Sequence, residues 1–121
     1  MDLYREEVME HYENPRNQGE LEGEGVKSAR DSNASCGDMV EIYLKIEKGK
    51  IVDVKWKGIG CAITTAASSK LSEYLQGLLV MEVKKMDEEE LMKKGIGFEV
   101  NPGRSKCLRL PARVVMKIVK G

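Results

Sequence analysis

The 121 residues include 20 basic and 20 acidic side chains, so no net charge draws the protein toward nucleic acid or a membrane surface. This length suits one ordinary domain with a buried core, and 33% charged with 41% hydrophobic residues is typical of a soluble globular protein. No apolar run approaches the roughly 18 to 20 residues that span a bilayer, and the polar start is unlike a signal peptide. We therefore expect one domain, residues 1–121, in the cytoplasm.

The first predicted element is a helix over residues 2–13, with Asp2 as its N-cap. It ends before Pro15, because proline disfavours a helical conformation at the residue that precedes it. A glycine-rich acidic loop follows at residues 19–25. His11 is the single histidine and lies on this helix, far in sequence from every cysteine. We interpret it as a surface or packing residue and not as a metal ligand.

An antiparallel hairpin is the clearest pattern in the chain, and a short strand over residues 26–34 is predicted before it. Apolar and polar side chains alternate on both sides of a turn at residues 47–50. The apolar positions are Val40, Ile42, Leu44 and Ile46, then Val52, Val54 and Trp56. The start of the first hairpin strand and the end of the second lie at one edge of the hairpin. The register therefore brings Cys36 and Cys61 close in space.

Helical patterns dominate the second half. Small and amphipathic residues predict a helix from residue 62 that ends at Gly77, which places Cys61 at the helix N-terminus, where exposed N–H groups favour a thiolate. Residues 78–81 have no clear pattern. A short helix is predicted over residues 87–94 and closed by Gly95.

The last predicted helix runs from about residue 107 to residue 120, with Pro111 in its first turn. Its apolar stripe consists of Leu110, Val114, Val115, Ile118 and Val119. The fold class that follows is α+β: a small antiparallel sheet with helices packed on one face and the metal ligands gathered at one end. Six cations and no acid follow Glu99, which fits either a solvated helix face or a docking surface for an acidic partner.

The turn Cys36-Gly37-Asp38 brings a thiol and a carboxylate two residues apart, with a glycine between them. Cys61 and Cys107 could complete a set of four donors, the number that a tetrahedral site needs. Each cysteine lies beside glycine, aspartate or lysine, surroundings that favour ionised, reachable thiols. The alternatives are that the cysteines are buried apolar residues and that Asp38 caps the turn after Gly37.

The spacing of the donors narrows the kind of site. Zinc modules bring their ligands in close pairs, whereas the cysteines here lie 25 and then 46 positions apart, which argues against a zinc finger. A redox C-x-x-C pair and a phosphate-binding glycine motif are absent as well. Three thiolates and one carboxylate suit either Zn²⁺ or a two-iron two-sulfur cluster. A cluster with one carboxylate ligand is better suited to release than to permanent storage.

Several motifs together resemble the IscU/NifU N-terminal/SufU family of iron–sulfur cluster assembly proteins. They are His11-Tyr12-Glu13-Asn14-Pro15-Arg16-Asn17, Cys36-Gly37-Asp38, Gly58-Ile59-Gly60-Cys61-Ala62-Ile63 and Lys106-Cys107. The resemblance implies a single scaffold domain over residues 1–121, which is a carrier and not an enzyme. It further implies a 2Fe-2S cluster, or Zn²⁺ in the cluster-free form, bound by Cys36, Asp38, Cys61 and Cys107. The expected partners are a cysteine desulfurase and apo iron–sulfur acceptor proteins, with a homodimer left open and with no nucleic acid or membrane.

Two features depart from the IscU pattern. Lys106 stands where IscU-type members carry a histidine, as in the SufU branch, whereas the short interval from Cys61 to Cys107 resembles IscU. The Leu-Pro-Pro-Val-Lys segment that IscU-type scaffolds offer to a chaperone is missing, which argues against chaperone-driven release. A zinc-bound sulfur relay of the SufU kind and a protein with purely structural zinc therefore stay open as alternatives. We predict Cys107 as the sulfur acceptor, because Arg104 and Lys106 are expected to favour its thiolate.

Overall fold

The computed structural model describes residues 3–34, 37–100 and 102–121. Ten elements follow one another along these residues. They are α1 (Leu3–Glu13), β1 (Val26–Asn33), β2 (Asp38–Glu47), β3 (Lys50–Ile59), α2 (Ala62–Leu75), α3 (Val80–Lys84), α4 (Glu88–Leu91), a π-helical turn (Met92–Ile96), a 3₁₀ turn (Pro102–Arg104) and α5 (Ser105–Lys120). The predicted α+β class is confirmed. Among the described residues, no helix is both long and apolar enough to cross a membrane.

The sheet is antiparallel with the strand order β1-β2-β3. Alternate residues of β2 point to a buried face, and Val40 and Leu44 there are fully inaccessible to solvent. Helix α5 packs on β1 and β2, α2 packs on β3, and α1 packs on α2. The predicted apolar stripe of the last helix is buried along its whole length. Burial of these apolar faces holds the helices on one side of the sheet.

One apolar position of the hairpin was predicted on the wrong face. Val52 is 40% exposed, whereas its neighbour Ile51 is fully buried. The pairing of β2 with β3 passes from Lys45↔Asp53 to Ile46↔Ile51, so Val52 is an extra residue with no partner. Such a β-bulge shifts the alternation by one residue, and simple alternation cannot anticipate it.

The helix boundaries in the second half also differ from prediction. Residues 80–84 form α3, although no clear pattern was found for residues 78–81 in the sequence. The helix with Asp87 as its N-cap continues as a π turn and ends at Gly97, whose φ of 77° is left-handed, and Gly95 is buried within that turn. Helix α5 begins at Ser105, so Pro111 lies inside it and not in its first turn. The 3₁₀ turn lies directly before α5, and the helix therefore starts two residues earlier than residue 107, where it was predicted to start.

His11 is a packing residue, as predicted. The residue is 8% exposed, and Nδ1 lies 2.7 Å from Oγ of Ser69 on α2. The backbone N–H of Arg16 donates to the same oxygen at 2.9 Å. This hydroxyl therefore ties the end of α1 and the turn after it to α2.

Candidate functional site

Asp38 lies where β1 and β2 meet. It is the first residue of β2, pairs with Asn33 in the register, and is 4% exposed. Gly37 has a left-handed φ of 73°, which favours glycine, and its N–H donates to the Asn33 carbonyl at 2.8 Å. Cys36 lies outside the described residues, so its predicted proximity to Cys61 and its role as a ligand stay predictions.

Cys61 stands at the junction of β3 and α2. It is the N-cap residue of α2, with an extended backbone, and its thiol is partly exposed. Gly60 makes the approach to Asp38 possible, because a Cβ atom there would lie 3.0 Å from Asp38 Oδ1 and 3.1 Å from Thr64 Cβ. A side chain at position 60 would push the carboxylate or the helix away.

Cys107 lies in the first turn of α5, and its thiol contacts both Cys61 and Asp38. Its sulfur lies 3.4 Å from Cys61 Sγ and 3.4 Å from Asp38 Oδ2. One donor atom from each of the three side chains lies within 4.8 Å of the others. The tertiary structure thus gathers three of the four predicted ligands from β2, α2 and α5, at one end of the sheet.

These spacings fit a tetrahedral metal site. With Zn–S bonds of about 2.3 Å and Zn–O bonds of about 2.0 Å, two tetrahedral ligands are about 3.5 to 3.8 Å apart. The observed separations of 3.4 Å are only slightly shorter than these edges. Two thiols and one carboxylate leave a position for a fourth donor, for which Cys36 is the predicted candidate.

Thr64 is a site residue that the sequence analysis missed. Its hydroxyl donates to Asp38 Oδ2 at 2.8 Å and lies 3.6 Å from Cys61 Sγ, and the residue is 2% exposed. The signal that could have found it is its position three residues after Cys61 in a helical segment, one turn along the same face. Thr64 therefore orients the carboxylate and contacts the thiol.

The comparison with protein families decides what kind of domain this is. Residues 3–120 match the family described as the NifU-like N-terminal domain. The chain belongs to this family. The resemblance to this family that the sequence indicated is therefore confirmed.

Individual relatives carry more specific names. An iron–sulfur cluster assembly enzyme, IscU, from Drosophila melanogaster is 39% identical over 99 residues, which are 76% of this chain and 62% of that protein. The zinc-dependent sulfurtransferase SufU of Bacillus subtilis is 36% identical over 75 residues, 62% of this chain and 50% of that protein. This chain thus spans less than two thirds of either relative.

A solved structure extends the likeness to the fold. It is that of a proposed iron–sulfur cluster assembly scaffold protein for the SUF system from Fervidobacterium islandicum. It is 30% identical, has a TM-score of 0.72, and the match covers 94% of each chain. The arrangement of sheet and helices is therefore shared with that structure.

The two described thiols of this NifU-like domain differ in their acidity. Burial opposes ionisation of Cys61, but hydrogen bonds from the backbone N–H groups of Thr64 and Ile63, that of Thr64 being the stronger, help to outweigh it, so the pKa of Cys61 lies below its usual value. Burial, followed by the neighbouring Cys61, raises the pKa of Cys107 to about 12. The expectation that Arg104 and Lys106 favour the Cys107 thiolate is therefore wrong for the metal-free site, because burial dominates over exposed charges.

Three of the six cations that follow Glu99 form ion pairs within the protein. Arg109 pairs with Glu88 and Glu89 near the start of α4, and its pKa is raised by these contacts. Arg113 and Lys117 both reach Asp31 on β1. These three cations join α5 to its neighbours, which favours neither a purely solvated face nor a free docking surface.

Proposed function

We propose that residues 1–121 form one iron–sulfur cluster assembly scaffold domain. It accepts sulfur from a cysteine desulfurase as a persulfide, combines it with iron into a 2Fe-2S cluster once an external electron donor has reduced that sulfur to sulfide, and transfers the cluster to apo-proteins. The observation that carries the proposal is the group of Asp38, Cys61 and Cys107 donors within 4.8 Å of one another. The names of the relatives and the membership of the NifU-like family support it.

The ligand set in this proposal is Cys36, Asp38, Cys61 and Cys107. Thiolates bind iron and zinc strongly, whereas a carboxylate is a harder ligand that water or another thiolate can replace. The site also lies at the surface of the fold: Gly37 and Gly60 are exposed beside the three donors. A cluster assembled there is cargo that an acceptor protein can reach.

Cys107 is the proposed acceptor of sulfur. Its thiol is 6% exposed and its pKa is about 12, so it needs a bound metal ion or a docked partner to ionise and become reachable. Mass spectrometry after incubation with a cysteine desulfurase and cysteine tests the assignment. A Cys107→Ser variant that acquires the same persulfide load on Cys36 or Cys61 would remove it.

Anaerobic reconstitution tests the scaffold. The protein is incubated with ferrous iron, cysteine, a catalytic amount of a cysteine desulfurase and dithiothreitol, which reduces the persulfide sulfur to sulfide, and iron and acid-labile sulfide are counted per chain. We expect two of each per bound cluster and transfer to an apo-ferredoxin. Cys61→Ser and Cys107→Ser should lose the cluster. Tyr12→Phe, at an exposed position of α1, serves as the control. Failure of the wild type to hold any cluster under these conditions would refute the scaffold function.

The second candidate is a zinc-bound sulfur relay of the SufU kind. Lys106 before Cys107, together with 36% identity to the zinc-dependent sulfurtransferase over 75 residues, favours it. The same donors serve both functions, because zinc also takes thiolate and carboxylate ligands in tetrahedral geometry. One zinc per chain after purification without added metal, with persulfide transfer but no cluster on reconstitution, would establish the relay and exclude the scaffold.

A purely structural zinc makes a different prediction about folding. The buried apolar cluster between the sheet and the helices includes Trp56, Leu71 and Leu110, and it does not depend on the three donors. We therefore expect chelation to lower the melting temperature without unfolding the domain. Circular dichroism after metal removal measures this. Loss of all helical signal would favour the structural role. Sedimentation of the same sample would test whether a homodimer forms, which the sequence left open.

A further inference from the structure

Asn33 is the last residue of β1, and both the NH₂ group and the oxygen of its side-chain amide make hydrogen bonds within the protein. It is 9% exposed. Its Nδ2 donates to the backbone carbonyl of Lys106 at 3.1 Å, and its Oδ1 accepts from Nη2 of Arg113 at 3.1 Å. Its own carbonyl accepts the N–H of Gly37 at 2.8 Å. One residue therefore bonds to three separate places.

Two of these places adjoin candidate ligands. Gly37 precedes Asp38, and Lys106 precedes Cys107. Asn33 thus connects the turn that carries the carboxylate with the helical turn that carries the thiol, 73 positions away from it in sequence. Asn33 touches none of the three donor atoms through any hydrogen bond found among the described residues, so its influence on them is indirect.

The first turn of α5 depends on contacts from outside the helix. Pro111 has no N–H, so it cannot donate to the carbonyl of Cys107 four residues earlier. Arg104, the N-cap residue, makes no side-chain capping bond to the turn. The Asn33 amide meets the backbone at Lys106, within this weakened turn. It adds a hydrogen bond from β1 to this turn, beyond the bonds that the helix makes by itself.

Arg113 fixes which way the amide of Asn33 faces. Its Nε donates to Asp31 Oδ2 at 2.9 Å, which holds the guanidinium against β1. A guanidinium carries donors and no acceptor, so it selects the oxygen of the amide and leaves the NH₂ group for the Lys106 carbonyl. The orientation is thus determined by charge and not by packing alone.

We propose that Asn33 is a positioning residue that sets the distance between Asp38 and Cys107 in the metal site. The inference rests on the proposed function, since the site it positions is the proposed ligand set. Asn33 acts through the backbone of the two ligand-bearing segments. Residues that orient metal ligands in this way typically change metal affinity about 10- to 100-fold when they are replaced.

Two substitutions separate the bonds of Asn33. Asn33→Asp keeps an acceptor for Arg113 but replaces the donor with an oxygen that repels the Lys106 carbonyl, and Asn33→Ser is too short to span both partners. Asp31→Asn is the matched control, because it lies two residues earlier on the same strand and removes a charge from the same contact with α5, while its amide oxygen can still accept from Arg113 Nε and so keep the bonds of Asn33. Thermal unfolding of the metal-free proteins establishes that each variant is folded.

The first measurement is zinc affinity, by competition with a chromophoric chelator, with Co²⁺ spectra as a report on thiolate ligation. We expect Asn33→Asp and Asn33→Ser to bind zinc about tenfold more weakly and to lose intensity in the thiolate-to-cobalt band. Asp31→Asn should stay within about threefold of the wild type. An equal loss of zinc affinity in all three variants would mean that Asn33 only holds β1 against α5. That result would overturn the inference.

The second measurement needs no bound metal and so separates this inference from the proposed function. In a Cys36→Ser background, phenylarsine oxide bridges two thiols by forming two As–S bonds and releasing water. Cys61 and Cys107, 3.4 Å apart, should be bridged rapidly, and Asn33→Ser should slow the bridging about tenfold while Asp31→Asn does not. Unchanged bridging in Asn33→Ser would refute the positioning role, even if the wild type proved to bind no cluster.

Discussion

Thr64 donates its hydroxyl to Oδ2 of Asp38 at 2.8 Å, and the same hydroxyl oxygen lies 3.6 Å from the sulfur of Cys61. A single buried side chain therefore contacts two of the three described donors. Because a threonine hydroxyl can donate one hydrogen while its lone pairs stay available, it holds the carboxylate in a defined orientation beside the thiol. Thr64 is thus part of the site without being a metal ligand.

Replacing Thr64 should weaken metal binding when the hydroxyl is lost and should have little effect when it is kept. Thr64→Val keeps the shape but leaves the 4% exposed Asp38 carboxylate without this donor, so we expect zinc affinity to fall about tenfold. Thr64→Ser keeps the hydroxyl and should bind zinc nearly as well as the wild type. Chelator competition measures both, and an equal loss in the two variants would show that packing and not the hydrogen bond matters.

Asp38 is predicted to keep the cluster exchangeable. A carboxylate oxygen can be protonated or replaced by water, so this coordination position is open to an incoming acceptor thiolate. Asp38→Cys should assemble a cluster that survives longer in air and transfers more slowly to an apo-ferredoxin. Transfer is followed by circular dichroism under anaerobic conditions at equal cluster loading. Equal rates for wild type and variant would show that Asp38 does not control release.

The two described thiols should react in a definite order in the metal-free protein. The pKa of Cys61 is lowered, whereas that of Cys107 is raised to about 12 and its side chain is buried. Because the thiolate is the nucleophile, iodoacetamide at pH 7.5 should label Cys61 well before Cys107. Peptide mass spectrometry at short times measures the order. Prior labelling of Cys107 in the wild type would contradict the assigned acidities.

His11 should make stability fall below neutral pH. Burial lowers the pKa of His11, and the positive charge of Arg16 lowers it further, against weaker opposite effects of Glu73 and Glu10. The unfolded chain, with an ordinary pKa of about 6.5, then binds a proton at a higher pH than the folded chain does. The contribution is fully present above that pH and is lost as the pH falls below it.

Urea unfolding of the metal-free protein between pH 7.5 and pH 5.5 tests this dependence. The wild type should lose free energy of unfolding over this range, and His11→Gln should show a flatter profile. Ser69→Ala is the control for the hydrogen bond to His11, because it removes the 2.7 Å partner without removing the titrating ring. A wild-type profile as flat as that of His11→Gln would mean that the His11 pKa is not lowered.

Local periodicity was sufficient for most of the elements. The alternation around residues 47–50 predicted the hairpin, and the apolar spacing after residue 107 predicted the buried face of α5. These predictions succeed because a strand or helix that buries one face must repeat its apolar residues at the period of its own backbone. They fail at Val52 and at the π turn of residues 92–96, where the backbone departs from that period.

The amino-acid sequence by itself determined which residue types could bind a metal and which family they resemble. Asp38, Cys61 and Cys107 are recognisable from their chemistry and neighbours, and the hairpin register correctly brings the segments of Asp38 and Cys61 together. Only the tertiary structure decided how these groups are supported. Thr64 and Asn33 act through contacts 26 and 73 positions away in sequence, and Cys107 is made a weak acid by burial that its exposed basic neighbours do not offset. Hydrogen-bond partners and solvent exclusion depend on packing between distant segments, and no local pattern of residues encodes them.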